Sequence, residues 1–133
     1  GKCMNDNKIR IVILEEIYSI CRLEKNDTIP DDITKSNFYS ITSSPKEISL
    51  VCEQKFIRDG MKVEKDWKVL KIDSILDFSL IGIISKISTI LADAKISIFV
   101  VSTYDTDYVL IKKSNLEITV RVLEENGYEI IKY

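Results

Sequence analysis

Ser79-Leu80-Ile81-Gly82-Ile83-Ile84-Ser85-Lys86-Ile87-Ser88-Thr89-Ile90-Leu91-Ala92-Asp93-Ala94 carries the clearest periodicity in the chain. Leu80, Ile83, Ile84, Ile87, Leu91 and Ala94 fall on one stripe of a 3.6-residue helix. Ser79 stands just before that stripe, where its hydroxyl can accept an orphan helix N–H. Upstream, Trp67 to Ile72 reads as a strand. Downstream, Ile96 to Ser102 is a strand, Tyr104 to Asp107 a turn, and Tyr108 to Ile111 the returning strand. Ser114-Asn115-Leu116-Glu117 has capping-box spacing. Leu116, Val120 and Leu123 line the inner face of the helix it opens, which leaves Ile118 and Val122 on the outer face as a weak partner contact. Gly127 suits a left-handed helix stop, and Tyr128 to Ile131 closes the unit as a strand.

Strand, helix, strand, strand, helix, strand is the split order of a ferredoxin-like α+β fold. Residues 67–133 therefore read as one complete βαββαβ unit. The first half, residues 2–66, has strand candidates at Ile9 to Leu14, Tyr18 to Leu23, Phe38 to Thr42 and Ile48 to Cys52, with no long helix between them. Gln54 to Asp66 is charged, contains Gly60, and is expected to be mostly loop. A shift of 60 residues lays Ile41-Thr42-Ser43 over Val101-Ser102-Thr103 and Glu47 to Val51 over Asp107 to Ile111. On that shift the first half is a degenerate copy of the second.

The composition narrows the function. The 133 residues are 45% hydrophobic and 30% charged, with a net charge of −2, the balance of a globular domain. The charge is spread evenly along both halves, so no basic stripe for nucleic acid stands out. There is no histidine. That removes the commonest general base and the commonest zinc ligand. Cys3, Cys21 and Cys52 lack metal-ligand or disulfide-framework spacing, and the latter two sit in apolar runs as small hydrophobes. No catalytic residue, metal or cofactor is expected. The longest stretch without a charge, Ser36 to Pro45, is ten residues, so no membrane-spanning helix is expected. With no basic-then-apolar leader pattern, the chain is expected to stay in the cytoplasm.

Asp77 to Ile83, Leu91 to Phe99 and Ser102 to Leu110 together resemble the ACT domains, ferredoxin-like modules that bind amino acids as regulators. The similarity is nearest to small tandem-ACT bacterial proteins related to the CASTOR arginine sensors. Tyr18 to Leu23, Ile29-Pro30 and Glu47 to Val51 extend it into the first half. The resemblance implies a non-enzymatic regulatory module, binding at an interface between ACT units and acting as a homodimer. It also implies ligand-contacting positions at Ser79, Leu80, Ile81, Gly82, Thr103, Tyr104 and Asp107. One departure stands out. Many ACT domains have a Gly in the loop before the helix, and here the loop reads Ser74-Ile75-Leu76-Asp77-Phe78.

The residue chemistry fits the same place. A helix N-terminus offers unpaired N–H groups and a positive dipole end to a carboxylate. Gly82 there has no side chain to hold a ligand away. Asp107 can meet an ammonium, Thr103 adds a hydroxyl and Tyr104 an apolar wall. Alternatives remain open for each: Ser79 as a simple cap, Asp105 and Asp107 as turn residues that bond their own backbone, and Tyr104 as a turn aromatic. A ligand-free interaction or dimerisation module is the competing function.

Overall fold

A computed structural model describes residues 9–74 and 82–132. Eight strands and two α-helices alternate with short 3-10 turns: β1 (Ile9–Ile13), β2 (Tyr18–Leu23), β3 (Ser40–Ser43), β4 (Ile48–Glu53), β5 (Lys62–Ser74), α1 (Ile83–Asp93), β6 (Ile98–Ser102), β7 (Asp107–Lys112), α2 (Leu116–Glu125) and β8 (Glu129–Lys132). The mixed α+β class expected from the sequence is what forms. The chain divides into two compact units, Glu16–Trp67 and a second made of residues up to Glu15 with those from Lys68 on. The strand β5 gives its first residues to one and its last to the other.

In the Glu16–Trp67 unit the strands lie in the order β3-β4-β2-β5, every neighbour antiparallel. Two 3-10 turns, Asp31–Lys35 and Gln54–Phe56, stand where a ferredoxin-like unit has helices. Cys21, Leu23, Ile48, Leu50 and Cys52 alternate onto one face, and Ile33 of the first turn covers them with Ile29, Phe56 and Ile57. The 54–66 stretch, expected to be mostly loop, begins β5 at Lys62. A bulge puts Lys65 and Asp66 opposite Ser19. The Gln54 side chain clamps it: its Oε1 accepts from the Ser19 hydroxyl at 2.9 Å and the Asp66 N–H at 2.7 Å. At the far end of β4, the buried Glu53 carboxylate accepts the Asn37 N–H at 2.6 Å and pairs with Lys55.

In the other unit β6 pairs β7, β7 pairs β5, β5 pairs β1, and β1 pairs β8. Here the structure differs from the division at residue 67. The first strand belongs with the later residues, antiparallel to β5 and parallel to β8. Its alternation explains the fit: Ile11 and Ile13 enter the same core as Leu70, Ile72, Ile87, Leu91, Val109, Ile111 and Leu123. Ile11 sits opposite both Ile72 and Ile130.

Both α-helices end alike. After α2, Gly127 is left-handed (φ 93°), and the N–H groups of Gly127 and Tyr128 reach Glu124 and Leu123 carbonyls, as the glycine predicted. After α1 the same bonds form from Lys95 and Ile96 to Ala92 and Leu91, but the left-handed residue is Lys95 (φ 61°). The expected capping box at Ser114 is not used. Asn115 precedes α2, its side chain makes no cap, and residues 113–115 form a 3-10 turn. Ile118 and Val122 are not an outer patch either. Both are half-buried against the core. The fully buried Thr119, absent from the expected stripe, shares the inner face with Leu123.

The two hairpins are built alike, on a different shift from the one read in the sequence. Ser43↔Ile48 closes the β3–β4 ladder and Ser102↔Asp107 closes β6–β7, a shift of 59 residues. Leu50, Val51 and Cys52 then correspond to Val109, Leu110 and Ile111, all six buried. In both loops a hydroxyl residue donates its N–H across the turn, Ser44 to Glu47 at 2.9 Å and Thr103 to Thr106 at 2.8 Å. Glu47 is thus the counterpart of Thr106, and not of Asp107.

Candidate functional site

The expected site lies in the second unit. Ser79, Leu80 and Ile81 fall outside the described residues. Gly82 is described, and it is the residue that turns the chain into α1. Its φ of 83° is in the left-handed region, where a side chain is strained. Among the described residues nothing lies within 4 Å of where a side chain would start. The Gly82 carbonyl accepts the first intrahelical bond, from the Lys86 N–H at 2.9 Å. The N–H groups of Ile83 to Ser85 lie in the first turn, where a helix leaves donors without intrahelical partners. There is no acidic residue in that turn to answer the positive end of the dipole.

The β6–β7 hairpin supplies the other named residues. Asp107 is half-buried, and its Oδ1 accepts from the Ser102 hydroxyl at 2.5 Å. Thr103 is spent on the turn. Its hydroxyl donates to the Thr106 carbonyl at 3.1 Å and accepts the Thr106 N–H at 3.2 Å. Tyr104 is fully exposed at the tip and walls nothing in this chain. Asp105 is exposed beside it. Thr106, to which the sequence reading gave no ligand role, donates its hydroxyl to the Ile72 carbonyl of β5. The signal was present as the hydroxyl pair Thr103 and Thr106, spaced like the closing residues of a turn.

That bond fixes the geography. The start of β7 lies beside the end of β5, and β5 is the strand from which the chain passes through residues 75–81 to Gly82. The same end of the sheet carries an ion pair, Arg10 Nη2 to Asp73 Oδ2 at 3.1 Å, about 38% exposed on both sides. Glu129 stands opposite Arg10 on β8. The arrangement offers backbone donors at a helix entry and carboxylates on neighbouring strands. Among the described residues no three acids or thiols converge to hold a metal. Both described thiols belong to the Glu16–Trp67 unit, and burial pushes Cys21 up to about 11 and Cys52 up to about 12.

A largely antiparallel sheet with two helices packed on it defines the class, a ferredoxin-like α+β domain. Residues 62–125 match the model of the ACT domain family, and residues 16–59 match a second family model described as an N-terminal domain. The likeness to the ACT domain family is carried by residues 62–125. The chain is 32% identical to protein Atu0741 from Agobacterium tumefaciens, with a TM-score of 0.89 over 95% of this chain and 94% of that one. VC0802 from Vibrio cholerae, described as a protein of unknown function and possible transport protein, matches at 18% identity and a TM-score of 0.70 over 89% of each chain. The regulatory subunit of aspartate kinase from Thermus thermophilus, in its ligand-free form, matches at 10% identity and 0.63, over 90% and 97%. The last two are likenesses of fold alone. No curated protein matches the chain.

Proposed function

We propose that the chain is a non-enzymatic regulatory module that binds a free amino acid where α1 begins, and that it works as a homodimer in the cytoplasm. The observation that carries this reading is the hairpin pinned to the end of β5, with Asp107 at its base and the open backbone of Gly82 at the helix entry. The ligand carboxylate meets the N–H groups from Leu80 to Gly82 and the helix entry behind them. The ammonium meets Asp107. The likeness to an aspartate kinase regulatory subunit supports a regulatory role. The two matching hairpins support an N-terminal half that is a reduced copy of the C-terminal one, the arrangement of tandem-ACT arginine sensors.

Calorimetry across the twenty amino acids tests the reading. At least one is expected to bind, and Asp107→Ala to weaken it about tenfold or more, since an ammonium loses its charged partner. The fold is expected to survive, because Asp107 gives up only the bond from Ser102. Equal affinity for wild type and variant places the ligand elsewhere. Sedimentation showing only a monomer-sized species rules out the dimer.

One observation favours a second reading, an interaction module without a ligand. Tyr104 is fully exposed, and Val100 on β6 is 39% exposed. Failure of every amino acid to bind, with a dimer still present, selects it.

A further inference from the structure

Among the described residues the exposed large apolar side chains are Tyr39, Ile41, Val100 and Tyr104. All four lie on or next to the outer strands β3 and β6, and the helices expose none. Among the described residues β6 is bonded to β7 on one side and to no strand on the other. The turn sets which backbone groups face that free side. The Thr103 N–H donates to the Thr106 carbonyl, so these two residues form a hydrogen-bonded pair. Bonded and non-bonded pairs alternate along an antiparallel ladder. Phe99 and Val101 therefore turn their N–H and C=O groups toward β7, and Ile98, Val100 and Ser102 turn theirs outward. Sheet edges are ordinarily blunted by charge, proline or a bulge. The outer strand β8 carries Glu129 and Lys132, and at β3 the Lys25 ammonium donates to the Ser43 hydroxyl at 2.5 Å. Ile98-Phe99-Val100-Val101-Ser102 has no such guard.

From this we propose that β6 pairs antiparallel with β6 of a second copy of this chain, about a two-fold axis at Val100. The proposal rests on the homodimer reading and gives it a surface and a register. Val100 is the middle residue of the strand. Its outward groups form a hydrogen-bonded pair with Val100 of the partner subunit, and Ile98 pairs in the same way with the partner's Ser102. Phe99 then stands opposite the partner's Val101, apolar against apolar. The charges beyond the strand are also self-complementary. Lys95 lies five residues before Val100 and Asp105 five after it. A two-fold axis brings the Lys95 end of each copy to the Asp105 end of the other. Both residues are exposed, and among the described residues neither is in an ion pair. Other pairings fit less well. Matching β3 to β6 at Ile41 and Val100 would bring Lys46 to Lys95, like charge against like. A charged peptide would find no charge on the strand to recognise.

The test is sedimentation of the full chain with and without Val100→Glu. Wild type is expected to be a dimer. The variant sets a carboxylate against its own copy at the axis, and its dimer dissociation constant is expected to rise about tenfold or more. Val100 is 39% exposed, so far-UV dichroism and the thermal melt should stay those of wild type. A second variant reads the register, because residues paired across strands lie within disulfide reach. Val100→Cys, in a chain with Cys3→Ser, is expected to cross-link to its own copy when diamide oxidises the two thiols. Ile41→Cys in the same background is expected not to. A wild-type monomer overturns the proposal together with the homodimer reading. A wild-type dimer that Val100→Glu leaves unchanged overturns the β6 contact alone, as does a cross-link made by Ile41→Cys and not by Val100→Cys.

Discussion

The Thr119 hydroxyl is fully buried on α2 and has no hydrogen-bond partner among the described residues. Such a group loses its water and gains nothing in return. Thr119→Val keeps the shape and removes the hydroxyl, so it should raise stability by roughly 1–2 kcal/mol, read as a higher denaturant midpoint. The two buried thiols act in the opposite sense, and only in alkali. Burial raises Cys21 to about 11 and Cys52 to about 12, the latter also through the neighbouring Cys21 and Glu53. Their ordinary value is 9.0, which holds in the unfolded chain. Below pH 9 both states keep the thiol and nothing changes. Above it the unfolded chain ionises first, so stability falls as pH rises toward the folded values. The slope is about 1.4 kcal/mol per pH unit for each thiol. Denaturant midpoints from pH 8 to 10.5 should show that fall, and Cys21→Ala with Cys52→Ala should flatten it. Tyr18, raised by burial and by Glu16, leaves some slope at the alkaline end.

At the level of elements, α1 ends on a compromise. Lys95 occupies the left-handed position that glycine fills after α2. A non-glycine residue there costs about 1–2 kcal/mol, offset in part by the greater freedom a glycine loses on folding. Lys95→Gly should stabilise the chain by about 0.5–1 kcal/mol in thermal or denaturant unfolding. The helices themselves were plain in the sequence, because Ile and Leu on a 3.6-residue stripe line up along a helix and would scatter over both faces of a strand. Their ends were less so. Gly127 announced its stop, whereas Lys95 gives no such sign, and Ser114 advertised a cap that a 3-10 turn replaces. The hairpin shift of 60 was a one-residue slip, invited by runs of hydroxyls in both loops. Ladder register and alternating burial correct it, since a slip of one exchanges the faces of a strand.

Over the whole molecule, the order of elements was legible and the partnership of β1 was not. An apolar run such as Ile9 to Ile13 suits either half, and its neighbours are set by contacts far along the chain. Of the candidate site, the residue types of Gly82 and Asp107 could be weighed from the sequence, but the Thr106 tie to β5 is a long-range bond that no local pattern carries. The β1 placement has a direct test. A chain of residues 67–133 alone lacks the strand that lies between β5 and β8. It should show weak ellipticity and no cooperative melt, where the full chain melts sharply. A cooperative transition in that fragment would restore the division at residue 67.

The same strand bears on how the protein comes to be folded at all. Made before its partners, β1 must wait about sixty residues for Ile72 and about a hundred and twenty for Ile130, its two cross-strand neighbours. Meanwhile the Glu16–Trp67 unit is contiguous and can settle by itself. Loop-closure entropy is met late, and non-local pairing of this kind slows folding. Until then Ile-Arg-Ile-Val-Ile is a bare β-prone segment with one charge to guard it. The nascent chain is therefore most exposed to aggregation in the interval when this strand has no sheet to join.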